Sequence, residues 1–316
     1  MTLLLPPHEI LPNASSPTIA PAAETRATKQ ALASVLGANF IWAASVFLFK
    51  ALGHVPPLEI TAQRIAWSLV AVALWLTVSG GWPQVRAALT NPRSLRTLML
   101  SSIFAALNWL LFVWAISQAR IVETSFGYFV APIVIVALGA VMLRERLNGA
   151  QKLAVALVIA AALIQGATLG SFPWFSLAIG LNWALYTYVR KRVPVPAVAG
   201  FFIECLILSG PALLFIAFLE ARGQSHFFAD RATTLLLLAT SVTTALPLIL
   251  FAAANNKLRM VTMGLMQYVA PSLQLGMAAF LYAEPVSPIK LATFIVIWLA
   301  LGIFSWDAAR WERGVG

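Results

Sequence analysis

The chain has 316 residues, 60% of them hydrophobic and only 10% charged, with a formal net charge of +10 and a mean hydropathy of +0.86. Soluble domains are about 45–50% apolar and about 25% charged, so this chain cannot hide its apolar side chains in a water-facing globule, and its solvent must be mostly lipid. One cysteine, Cys205, excludes an internal disulfide and a cysteine-rich metal site. The basic residues punctuate apolar runs, as topogenic charges do, which argues against a nucleic-acid partner.

Residues 1–30, with "PPHEILPNASSPTIAPAAETRATKQ", are rich in Pro, Ala, Ser and Thr and show no apolar period. They are expected to form a disordered cytoplasmic tail. "MTLLL" lacks a basic n-region, so the first span is expected to act as an uncleaved insertion signal. Ten spans follow, near 31–52, 58–79, 94–115, 121–143, 148–169, 172–189, 197–219, 233–254, 260–283 and 287–309. Residues 310–316 form a C-terminal tail. Lipid-exposed backbone must satisfy its own hydrogen bonds, which favours helices. Runs such as "LAVALVIAAALI" do not alternate, which excludes a barrel.

With the N-terminus inside, fifteen of the 21 Lys and Arg fall in cytoplasmic segments, "RKR" at 190–192 among them, and only Arg120, Arg222, Arg231 and Lys290 fall outside. Both termini are therefore expected in the cytoplasm.

A shift of 139 residues lays "FVAP" (129–132) on "YVAP" (268–271), Arg120 on Arg259 and Glu145 on Glu284, with 7 of the 26 positions from 120 to 145 identical. The same shift lays span four on span nine, which predicts two five-helix halves, 31–169 and 170–309. Five is odd, so the halves run oppositely through the membrane, as in secondary transporters built from inverted repeats. The fold class expected is an all-α polytopic membrane protein.

The segments "FKALGHVPPLEITAQRIAWSL", "LNWLLFVWAI", "VETSFGYFVAPI", "YVRKRVPV", "GFFIE", "TTALPLILFAAANNKLRMVTMGLMQYVAPS" and "FIVIWLALGIFSWDA", in this order and spacing, resemble the drug/metabolite transporter superfamily, EamA type. More closely they resemble its chloramphenicol-sensitive RarD group. The resemblance covers nearly all of residues 30–312 and implies a ten-span bacterial inner-membrane carrier with a central cavity. Gln267, Tyr268 and Pro271 supply the group's "QY…P" segment, whereas Ala131 stands where the first-half helix often has Asn.

Charges inside spans are functional candidates by default. Lys50, Glu59, Arg64 and Glu123 are expected near the outer ends of spans one, two and four, as a neutral gate cluster or an anchor for a charged or zwitterionic solute. The competing reading is that Lys50, Glu59 and Glu123 snorkel to the interface. Glu204 lies in span seven with no basic residue in the apolar part of that span, so it is expected to be unpaired and a candidate for proton coupling.

A mid-helix proline frees the carbonyl four residues back. Pro132 frees that of Tyr128 and Pro271 that of Gln267, positions that correspond under the repeat. Both kinked helices are expected to line a cavity for a small polar-aromatic solute, with Asn108, Trp109, Asn182, Tyr186, Tyr268 and Gln274 adding contacts. Trp42 and Trp306 are read as interfacial anchors, Glu145 and Glu284 as structural caps, and His226 with Asp230 as a solvated loop pair. No phosphate-binding loop or metal-ligand spacing is present, so no cofactor is expected. A secondary exporter of small metabolites or drugs is the leading reading, with H+ a candidate coupling ion and a homodimer a candidate assembly. A lipid- or acyl-modifying membrane enzyme and a channel are the alternatives.

Overall fold

The computed structural model describes residues 21–117, 121–167, 174–280 and 288–312, and every regular element among them is helical. The helices are α1 (Pro21–Ala51), α2 (Pro57–Ser79), α3 (Trp82–Thr90), α4 (Pro92–Ser117), α5 (Ile121–Met142), α6 (Gly149–Ala167), α7 (Trp174–Lys191), α8 (Ala197–Ala221), α9 (Arg231–Asn255), α10 (Met260–Met266), α11 (Val269–Phe280) and α12 (Pro288–Glu312). Six are long and apolar enough to cross a membrane: α1, α2, α4, α6, α8 and α9. Their outward faces carry large apolar side chains, Trp75, Val78, Leu163 and Leu214 each at least 60% exposed. A water-soluble protein rarely shows so much contiguous apolar surface, and the chain is a multi-pass membrane protein.

Three boundaries differ from the sequence expectation. The first helix begins at Pro21, upstream of residue 31. The stretch 82–90, read as a connection, forms the short helix α3, because Val85 and Ala88 on one face bury while Trp82 sets its edge on Phe202 at 5.2 Å. The two prolines also act differently. Pro132 lies inside the single helix α5, whereas the segment bearing Pro271 divides into α10 and α11 at Gln267 and Tyr268. There the amides of Gln267 and Tyr268 bond three residues back, to Gly264 and Leu265. The helix tightens just ahead of the proline instead of kinking through it.

The helices pack mainly as α5 on α7, α1 on α9, α6 on α12, α2 on α8, α5 on α10, α2 on α9, α4 on α7 and α1 on α11. Small residues permit the closest crossings, as is usual where lipid supplies no hydrophobic drive between helices. A Cβ on Gly180 would sit 2.7 Å from the Gly127 carbonyl, and one on Gly264 would sit 2.7 Å from the Pro132 carbonyl. Helix α5 is thus gripped by α7 on one side and α10 on the other. The Tyr268 hydroxyl, fully buried, donates to the Phe129 carbonyl at 2.8 Å, across the α5–α10/α11 contact.

Candidate functional site

On α7, Asn182, Tyr186 and Arg190 recur every four residues and so share one face. All three are buried. Against this face stands Glu204 of α8, with Ser101 of α4 beside it, and Asn108 lies two turns along α4 from Ser101. The result is a set of buried polar side chains on α4, α7 and α8.

Glu204 anchors this set. Its Oε1 accepts from the Ser101 hydroxyl at 2.5 Å and lies 3.4 Å from Arg190 Nε, and its Oε2 is 3.4 Å from the Tyr186 hydroxyl. The expectation of an unpaired carboxylate is therefore corrected. Its cation comes from the "RKR" run, whose first member turns inward with the helix instead of facing the cytoplasm. Gly200 makes the room, since a Cβ there would sit 2.5 Å from Arg190 Nη1. The pair lacks hydrogen-bond alignment: Arg190 Nε and Nη1 make no hydrogen bond among the described residues.

A small cavity adjoins this cluster, lined by Ala105, Trp109, Trp183, Tyr186, Glu204 and Leu208 among others. Trp183 stacks on Tyr186 with ring centroids 5.2 Å apart and donates from Nε1 to Gln267 Oε1 at 3.1 Å, which ties the helix break at Gln267 to the cavity wall. Trp42, read as an interfacial anchor, instead packs its ring 5.9 Å from Trp183 and 5.7 Å from Phe251. Trp306 is 57% exposed, as an anchor would be.

Farther along, Tyr128 donates its hydroxyl to Asn108 Oδ1 at 3.0 Å. Several amide atoms are buried without a hydrogen-bond partner among the described residues: Asn108 Nδ2, both polar atoms of Asn182, and Gln267 Nε2. Native structures rarely leave such groups unmade. Pro132 is buried on α5 and Pro271 half-buried on α11. The side chain of Gln274 lies outside the described residues.

Arg64 of α2 takes a separate position. Its Nε donates to Thr244 Oγ1 of α9 at 3.0 Å, and its guanidinium lies 5.2 Å from the Trp109 ring and 5.8 Å from the Phe49 ring. Glu59, one turn earlier, does not reach it. Glu59 is fully buried and accepts from the His226 backbone N at 2.6 Å, from His226 Nδ1 at 2.7 Å and from Ser225 Oγ at 3.5 Å. The expected pairing of Glu59 with Arg64 is thereby corrected. Its acid and its cation part company because the α8–α9 loop folds back and claims the carboxylate. The side chains of Lys50 and Glu123 lie outside the described residues, as does Glu284.

His226 and Asp230 do not pair either. Asp230 caps α9, accepting from the Thr233 amide at 2.9 Å and the Thr233 hydroxyl at 2.6 Å, and these bonds hold its carboxyl below the usual range. The Thr233 hydroxyl also lies 3.0 Å from His54 Nε2. Glu145 caps as expected, accepting from the Met260 and Val261 amides at 2.8 and 3.0 Å.

Sequence reasoning missed Arg190, Ser101 and Trp183 as site residues, and it gave His226 the wrong acid. The four-residue spacing of Asn182, Tyr186 and Arg190 was the available signal for the first.

Comparison with known proteins agrees with this architecture. Residues 29–166 match the model of the EamA-like transporter family. The chain is 36% identical over 291 residues to "Protein RarD" of Salmonella typhi, covering 92% of this chain and 99% of that protein. It is 36% identical over 279 residues to a protein of Pseudomonas aeruginosa named as an uncharacterized transporter, covering 87% and 93%. A solved crystal structure superposes with a TM-score of 0.67 at 18% identity, over 92% of this chain and 99% of that one, which speaks to the fold alone. A set of buried polar side chains in a helical bundle, together with these likenesses, makes the chain a member of the EamA-like transporters of the drug/metabolite transporter superfamily, in the RarD group.

Proposed function

We propose that this membrane transporter is a secondary carrier that exports small metabolites or drugs by alternating access between two inverted five-helix halves. The observation that carries the reading is an exchange symmetry in the packing. Swap α1 with α7, α2 with α8, α4 with α9, α5 with α10–α11, and α6 with α12. Then α1 on α9 becomes α7 on α4, and α5 on α7 becomes α10–α11 on α1, both observed. The contacts α2 on α8, α5 on α10 and α6 on α12 map onto themselves. The Tyr268–Phe129 hydrogen bond joins residues 139 apart, the offset of the sequence repeat. Two such halves can trade conformations and open a shared site to either side.

In this reading the polar set, with its incompletely satisfied amides, lines the solute path. Asn108, Tyr128, Asn182, Tyr186 and Gln267 present polar atoms, while Pro132, Tyr268 and Pro271 shape the two helices that meet at the exchange axis. Both termini lie in the cytoplasm of a bacterial inner membrane, in keeping with the basic bias. Glu204 is the proton-coupling site. Its protonation would free Arg190, and the ion pair and the proton are alternatives at one carboxylate.

The test is counterflow in proteoliposomes that enclose a pH-sensitive dye. The expected result is that labelled solute enters faster when unlabelled solute waits inside, and that Glu204→Gln abolishes the accompanying proton movement while exchange survives. Flux indifferent to solute on the far side would indicate a channel and overturn the carrier reading. Unchanged proton movement in Glu204→Gln would remove the coupling role alone.

A further inference from the structure

Among the described residues, Arg64 holds a cation inside the bundle without an acid to answer it. Among the described residues no carboxylate lies within ion-pair distance of it, and the nearest acid in sequence, Glu59, spends both oxygens on His226 and Ser225. Among the described residues only Nε is engaged, by Thr244. The two amino groups of the fork have no hydrogen-bond partner among the described residues. Arg64 is half-buried. Aromatic rings flank it, Trp109 at 5.2 Å and Phe49 at 5.8 Å. Trp109 belongs also to the cavity wall that contains Tyr186 and Glu204. Trp109 thus touches both the guanidinium and that space.

A buried guanidinium is costly unless something completes its hydrogen bonding and balances its charge. Its planar fork fits a carboxylate or another planar oxyanion through two parallel hydrogen bonds. The ring faces beside it fit an aromatic or apolar body. We propose that Arg64 is the anchor for the solute's negative group, and that the transporter takes small organic monoanions with a planar anionic head and an aromatic or apolar body. This deepens the carrier reading by assigning a substrate class to its cavity. Thr244 is the positioning residue that fixes the fork from α9. The anion links α2 to the cavity wall only while bound, which gives the solute differential affinity for one arrangement of the helices.

The test is equilibrium binding to the full chain in lipid nanodiscs, read as ligand-dependent thermal shift and titration calorimetry. The probes are benzoate, phenylacetate and 3-phenylpropionate, each beside its neutral primary amide and the amine of the same ring. At least one carboxylate is expected to bind roughly tenfold or more tightly than its amide, the scale of a charge-assisted hydrogen-bonded pair. Arg64→Gln is expected to bring the carboxylate down to the affinity of the amide. Arg64→Lys, which keeps the charge and loses the fork, should fall between them. Amides or amines binding as well as carboxylates would overturn the proposal, and so would a carboxylate preference that survives in folded Arg64→Gln. Failure of every carboxylate to bind the wild-type protein would overturn it too, without any variant having to fold. Binding needs no transport, so a carboxylate preference without counterflow would sink the carrier reading alone, and counterflow without that preference would sink the anion site alone.

Discussion

Arg190 and Glu204 sit 2% and 3% exposed, so each charge depends on the other. Breaking a buried pair by removing one partner costs about 3–5 kcal/mol, whereas replacing both by apolar residues of similar volume is often neutral. Arg190→Met alone is therefore expected to lower the thermal unfolding temperature in detergent sharply. Arg190→Met with Glu204→Leu is expected to recover most of the loss while moving no protons with the solute. A double variant that moves protons normally would reduce the pair to packing. The sequence displayed Glu204 plainly, as an acid in an apolar run, but it hid the partner. "RKR" has the composition of a topogenic cluster, and only helical phase, four residues beyond Tyr186, turns its first member inward. Arg64 was legible for the same reason as Glu204, being a charge with apolar neighbours. Its separation from Glu59 was not legible, because the residue that takes Glu59 lies 167 positions away.

At the scale of elements, the loop between α8 and α9 is tied down at both ends. Glu59 at the start of α2 holds Ser225 and His226, and Asp230 closes the first turn of α9 through Thr233. Trp67 of α2 stacks on Phe227 at 5.3 Å and completes the dock. Glu59→Ala leaves the His226 amide and ring without their acceptor. It is expected to speed amide hydrogen exchange across 225–230 by roughly tenfold, the effect of losing hydrogen bonds to a charged group, with little change in the interior of α9. Unchanged exchange in that loop would show that Phe227 alone holds it. The long helices themselves were readable from apolar length, because lipid enforces the pattern at every turn. Helix α3 was not, since a nine-residue amphipathic segment between Gly81 and Asn91 has the look of a connection until Phe202 supplies a surface for it. The two prolines matched in sequence but not in effect. Pro132 is held within α5 between α7 and α10, whereas α10 and α11 part at the residues that reach Trp183 and Phe129.

Across the whole molecule, the proposed exchange of two five-helix sets is supported by the pairs α1 on α9 with α4 on α7 and α2 on α9 with α4 on α8. The repeat was visible in the sequence as seven identities at one offset, a weak signal because apolar helices share a small alphabet. The Tyr268–Phe129 hydrogen bond joins two residues at that same offset. A carrier built this way must show its cavity to both sides of the membrane in turn, and a channel or an enzyme need not. The most direct measurement uses single cysteines at Ala105 and Leu208, both on the cavity wall, in a Cys205→Ala background. A membrane-impermeant maleimide is applied to right-side-out and to inside-out vesicles. The carrier reading predicts labelling from both sides, with rates that a transported solute shifts in opposite directions. Labelling from one side only, or from both sides at rates the solute leaves unchanged, would contradict it.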